Sequence, residues 1–139
     1  TGGVDASWGG NAVFDKADGK WHLFFAEFVN RCPLGSWITN SMVSHAIGDQ
    51  PQGPYKRQET VQTAFHHNPT VAYDASSETF LLLSIGTGNA TNLRNCSGSS
   101  GGLGDPAQAG IITLSHAPTA SGPWTLQKEP VLAGRPGKW

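Results

Sequence analysis

Asn11-Ala-Val13 opens a run that continues through Lys20-Trp-His-Leu-Phe-Phe-Ala-Glu27, Asn30-Arg-Cys32, Val43-Ser-His-Ala46 and Gly53-Pro-Tyr55. Asn68-Pro-Thr-Val71 opens a second run, through Thr79-Phe-Leu-Leu-Leu-Ser-Ile-Gly86, Asn95-Cys96, Leu114-Ser-His-Ala117 and Gly122-Pro-Trp124. Matched in this way, the two runs are 57 residues apart at the Asn pair, 64 at the Cys pair, 71 at Ser-His-Ala and 69 at Gly-Pro-aromatic. The reading is one supersecondary unit written twice, with most of the added residues in its middle loop.

Each unit reads as four short strands, because Val, Ile, Leu, Thr and aromatic residues lie between breakers. In the first unit the strands are expected at Gly10–Asp15, Trp21–Phe28, Ser41–Ile47 and Pro54–Thr60, with Asp18-Gly19 as the first hairpin turn. In the second they are expected at Thr70–Tyr73, Phe80–Ile85, Ile111–Ser115 and Trp124–Lys128, with a long Gly- and Ser-rich loop over 88–110. No stretch carries a helical period. Repeats of this length belong to propeller blades and similar arrays, in which each unit leaves an apolar face for its neighbour to cover. The fold class is therefore all-β, two four-stranded antiparallel propeller blades, the first over 1–64 and the second, with its onward connection, over 65–139. Two blades do not close a ring, so the partners are the remaining blades or further copies of the chain.

Charged residues make up only 14% of the 139 residues and the net charge is −1. No basic field exists for phosphates, so nucleic acid is not an expected partner. No run approaches the roughly 18 apolar residues of a membrane span. No signal peptide is visible, and the abrupt start at Thr1 reads as processed or cut. Cys32 and Cys96 stand in matching loops, which in adjacent blades share one face, so a disulfide is expected between them. Asn89-Ala-Thr91 and Asn95-Cys-Ser97 are glycosylation sequons, while proline disqualifies Asn68-Pro-Thr70. Together these favour a secreted, extracellular glycoprotein.

Asn68-Pro-Thr-Val-Ala-Tyr73 followed by Glu78-Thr-Phe-Leu-Leu-Leu-Ser84 resembles the five-bladed β-propeller glycoside hydrolases of family 43 and their invertase-like relatives. So do Ser44-His-Ala-Ile-Gly-Asp-Gln-Pro-Gln-Gly-Pro-Tyr55 and Ser115-His-Ala-Pro-Thr-Ala-Ser-Gly-Pro-Trp124. The resemblance covers almost the whole chain and two of five blades. It implies hydrolysis of polysaccharides containing arabinose, xylose or galactose, without a cofactor. The alternative is a sugar-binding or structural propeller that breaks no bond.

Glycosidic cleavage needs two carboxyl groups flanking the bond. The resemblance implies an Asp at the opening of the first strand, where this chain has Asn11, and a second Asp in the next blade, where it has Asn68 or Thr70. Asp5 and Glu27 are then the candidate catalytic pair. Strand openings and the loops between second and third strands share one rim of a propeller. That rim gathers Asp5, Trp8, Asn11, Glu27, Asn30, Trp37, Asn40, His66, His67 and Asn68. Of these, Trp8, Asn11, Trp37, Asn40, His67 and Asn68 are the expected substrate contacts. No further ligand stands at metal spacing from His66-His67, so no metal is predicted. His45 and His116, in the repeated Ser-His-Ala, are expected to share a structural hydrogen bond, and Asn11 and Asn68 to hold backbone at the strand openings.

Overall fold

The computed structural model describes residues 6–64, 66–88 and 111–133. They form two four-stranded antiparallel sheets. β1 (Ser7–Asp15), β2 (Lys20–Phe28), β3 (Ser41–Gly48) and β4 (Lys56–Gln62) pair in that order. β5 (His67–Asp74), β6 (Thr79–Ile85), β7 (Ile112–Ala117) and β8 (Thr125–Leu126) repeat the pattern. The expected strands are all present, with ends displaced by a few residues. The segment between β2 and β3 departs from expectation: two 3-10 turns (Val29–Arg31 and Leu34–Ser36) run into a one-turn helix, α1 (Trp37–Asn40). That is too short to leave a helical period in the sequence.

The strand register corrects two of the expected equivalences. Both first strands carry a bulge, at Gly9-Gly10 between the pairs Trp8↔Ala26 and Asn11↔Phe24, and at Asn68-Pro69 between His67↔Ile85 and Thr70↔Leu83. Asn11 therefore corresponds to Thr70, and Asn68 to Gly9. Backbone conformation agrees, because Gly9 (φ 60°) and Asn68 (φ 49°) both occupy the left-handed region that Gly and Asn tolerate best. In the third strands Phe24 pairs with His45, whereas its counterpart Leu83 pairs with Leu114. The two Ser-His-Ala triplets are thus two residues out of register; His45 is buried and His116 is exposed. Gly-Pro-aromatic does correspond, with a cis peptide bond at both Gly53-Pro54 and Gly122-Pro123.

Alternation along β2 buries His22, Phe24, Ala26 and Phe28 and leaves Trp21, Leu23, Phe25 and Glu27 half-buried on the other face. In β6 it is Phe80, Leu82 and Ser84 that are buried, while Leu81, Leu83 and Ile85 are half-buried. The sheets meet through Phe24 and Val43 of the first and Val71 and Leu82 of the second, with Val13, Val61 and Trp124 packed around them. Burying each such side chain contributes about 1.5–3 kcal/mol. Polar groups fix the register of the interface. The Asn11 amide donates to the Val71 carbonyl and accepts from the Val71 N–H, both at 2.8 Å. Asp15 accepts the Ala120 N–H at 2.8 Å, and Gln62 donates to Ser115 Oγ at 3.0 Å.

Candidate functional site

The expected rim divides into two parts, because neighbouring residues on a strand emerge on opposite faces. Trp8 pairs with Ala26 and shares its face, toward the second sheet, whereas Glu27 belongs to the opposite face.

On the inner side, Trp8, Trp37 and His67 form an aromatic cluster. Trp8 lies edge-on to Trp37 with ring centroids 5.7 Å apart, and stacks on His67 at 6.4 Å and 19°. Trp37 meets His67 edge-on at 5.2 Å. Local sequence explains the assembly: the Gly9-Gly10 bulge re-aims Trp8, α1 presents Trp37 from its first position, and His67 opens β5. Three buried ring nitrogens here have no hydrogen-bond partner among the described residues: Trp8 Nε1, His66 Nε2 and His67 Nδ1. His66 Nδ1 donates to the Thr63 carbonyl at 2.8 Å, so in the neutral ring Nε2 is an acceptor. Burial holds His66 below the ordinary histidine range. Burial, with a smaller contribution from His66, takes His67 down to about 4. Both rings are therefore neutral at physiological pH.

On the outer side, a groove of ≈ 280 Å³ is lined by Ala6, Glu27, Phe28, Asn30, Arg31, Met42 and Arg57. Glu27 Oε2 accepts from Ser44 Oγ at 2.5 Å and from Arg57 Nε at 2.7 Å. Arg57 also donates to Ser44 Oγ at 3.1 Å and Thr60 Oγ1 at 2.9 Å. This network of hydrogen bonds fixes one of the Glu27 oxygens. Asn30 (φ 58°) and Arg31 (φ 55°) are consecutive left-handed residues at the groove, a strained backbone of the kind that functional sites retain.

The remaining expected contacts are placed as follows. The Asn11 amide is engaged by Val71, as described above. Asn40 is fully buried at the end of α1. Asn68 is exposed, with its side-chain oxygen close to Gly9. Cys32 is fully buried. Asp5, Cys96, Asn89 and Asn95 lie outside the described residues, and with them the expected disulfide and sequons. Sequence reasoning missed Arg57 and Ser44, which reach Glu27 only through strand pairing, and it missed the partner of His45, described below.

No protein-family model and no curated protein matches this sequence. Solved structures do. A family 117 glycoside hydrolase produced by the marine bacterium Zobellia galactanivorans superposes with a TM-score of 0.62 at 13% identity over 99% of this chain and 42% of that one. A family 43 β-xylosidase/α-arabinofuranosidase from a compost microbial metagenome gives 0.57 at 10%, over 94% of this chain and 37% of that one. The catalytic domain of the family 62 α-L-arabinofuranosidase of Coprinopsis cinerea gives 0.52 at 15%, over 88% and 31%. The two sheets have the fold of β-propeller blades, as found in these glycoside hydrolases. Such propellers are five-bladed, and the chain spans between 31% and 42% of the length of these three. Identity this low conveys the propeller fold and leaves its chemistry to be argued from the side chains.

Proposed function

We propose that the chain supplies the saccharide-contacting blades of a secreted carbohydrate-active propeller, with the Trp8–Trp37–His67 cluster as its sugar platform. The observation that carries this reading is the convergence of two indoles and an imidazole at one blade opening. Indole faces suit the C–H face of a sugar. The family 43 neighbour was solved in complex with xylotriose, which supports a pentose-containing oligosaccharide as the first ligand to try. Secretion, a Cys32–Cys96 disulfide and glycosylation at Asn89 and Asn95 belong to the same proposal. So does association with further blades, from this chain's own protein or from other copies.

Replacing Trp37 by Ala is expected to weaken binding of xylo- and arabino-oligosaccharides by about 10- to 100-fold in calorimetric titration, the loss typical of a buried aromatic anchor. Unchanged affinity in Trp37→Ala and Trp8→Ala alike removes the platform. Binding is expected to be insensitive to His67 between pH 6 and 8, because burial takes His67 down to about 4 and keeps it neutral there.

Hydrolysis is the second reading, favoured by one feature of the outer groove: Ala6, adjacent in sequence to Asp5, lines it together with Glu27. Asp5 and Glu27 would then be the carboxyl pair. Release of reducing sugar from arabinoxylan tests this. Asp5→Asn and Glu27→Gln should each lower turnover by at least about 100-fold; wild-type rates in both variants reject this reading and leave the binding proposal standing.

A further inference from the structure

His22 and His45 lie on the face of the first blade that packs against the second, and both are almost completely buried, at 0% and 1% exposure. Their rings are nearly parallel, at 6°, with centroids 5.0 Å apart. His22 Nδ1 and His45 Nε2 are 2.8 Å apart, so one proton is shared between them. The outer ends fix its origin. His22 Nε2 faces the Asp18 carboxylate at 3.1 and 3.3 Å, which requires an N–H there. In the neutral ring His22 Nδ1 is then the acceptor, and His45 Nε2–H the donor. This leaves a bare lone pair on His45 Nδ1, in agreement with its having no hydrogen-bond partner among the described residues.

The fold does not demand this pair. By strand register the second blade has Leu81 where the first has His22, and Leu114 where it has His45. The same two places therefore accept plain hydrocarbon. The pair is also mechanically linked to the blade interface: His45 stacks on Phe24 at 4.9 Å, and Phe24 meets Trp124 of the second blade edge-on at 5.2 Å.

We propose that the His22–His45 pair is an acid-operated latch between the two blades, closed while His45 is neutral and released as it takes up a proton. That proton goes to His45 Nδ1, placing an imidazolium within the interface. Among the described residues, the carboxylate that faces His45 Nδ1 is Glu59 of β4, 3.8 Å away and mostly exposed. Asp15 of β1 and Asp18 of the following turn flank His22, their oxygens and its ring nitrogen all within 4.8 Å of one another. Asp18 favours charge on His45 only weakly, outweighed by burial and by His22. From the second blade the contact is the uncharged Trp124, through Phe24.

The direction of the pH effect follows. Burial, and then His22, take His45 from 6.5 down to about 4. Below 6.5 the unfolded or opened chain binds protons that the closed form refuses. The latch therefore contributes fully above pH 6.5, and its contribution is lost as pH falls toward about 4.

The test is an acid titration of the intact protein, followed by tryptophan fluorescence and near-UV circular dichroism. The comparison is with His22→Leu/His45→Leu, which installs the second blade's own residues, and with His45→Gln, which keeps a donor toward His22 and does not titrate. His66 and His67 remain in every variant, so some acid sensitivity persists. The expected result is an acid midpoint lower by about one pH unit in either variant, with stability at pH 8 little changed or increased in the leucine variant. Midpoints equal to wild type in both variants would overturn the latch. So would histidine ¹⁵N spectra at pH 7 in which His45 is already doubly protonated.

Discussion

Gly10→Ala is expected to destroy the first blade. An added methyl group at this position would sit 2.0 Å from the Phe24 carbonyl oxygen and 2.9 Å from Phe25 Cα, both backbone atoms of the paired strand. No rotamer change relieves such a clash, and φ is +101°, where side chains are rarely found. Left-handed strain alone is worth about 1–2 kcal/mol, and forced movement of a central strand brings the cost to about 4 kcal/mol or more. That is a large share of the 5–15 kcal/mol typical of a domain. Gly19→Ala is the matched control. Its φ is also positive, at +71°, but its methyl group would meet nothing within 4 Å, so only the conformational cost of about 1 kcal/mol remains. Urea midpoints for the two variants separate close approach from backbone conformation. Equal losses would mean that the Gly9-Gly10 bulge is not where the strands touch.

Asn11→Leu is the second large effect. Its amide completes both the N–H and the carbonyl of Val71, as a strand residue would, although β1 and β5 belong to different sheets. Leucine leaves two buried backbone groups unpaired, at a cost of about 2–4 kcal/mol. Asn11→Asp is equally instructive. A carboxylate still accepts from Val71 N–H but presents its other oxygen to the Val71 carbonyl, so the variant should be unstable at neutral pH and recover on acidification. Denaturation at pH 7 and pH 4 distinguishes the two variants: Leu should be weak at both, and Asp should regain stability at the lower pH relative to Leu. The same geometry gives a physical reason why Asn stands at the strand opening where the resemblance to family 43 implies Asp. One of the two bonds must be a donation, and an ionised acid cannot make it.

Much of this architecture is written in local chemistry. Strands β2 and β6 announce themselves as apolar runs between turn residues, and both Gly-Pro-aromatic turns fall in register. What sequence matching misjudged was alignment within the units. Asn11 and Asn68 look alike as letters but answer different needs: a side chain that bonds the neighbouring blade, and a left-handed bulge position that Gly9 fills in the first unit. The repeated Ser-His-Ala misled for a similar reason. Nothing in a triplet reveals a two-residue register shift set by the bulges and pairings of other strands. The clustering of Trp8, Trp37 and His67 follows from strand openings and the loops between second and third strands sharing one rim. The cluster's separation from Glu27 was not visible, since that depends on which parity of β2 faces the second sheet. The His22–His45 pair was hidden by distance, the partners being 23 positions apart with no motif to join them.

The opposed placement of Trp8 and Glu27 has a consequence for the length of any molecule that engages both. A sheet's two sides are separated by the depth of the backbone and its side chains, of the order of 10 Å. A monosaccharide resting on the indoles does not extend around the strand end to the groove beside Arg57. A ligand that bridges them has to be a chain several sugars long, bent over the edge of the blade. Short fragments would sample one half of such a path at a time.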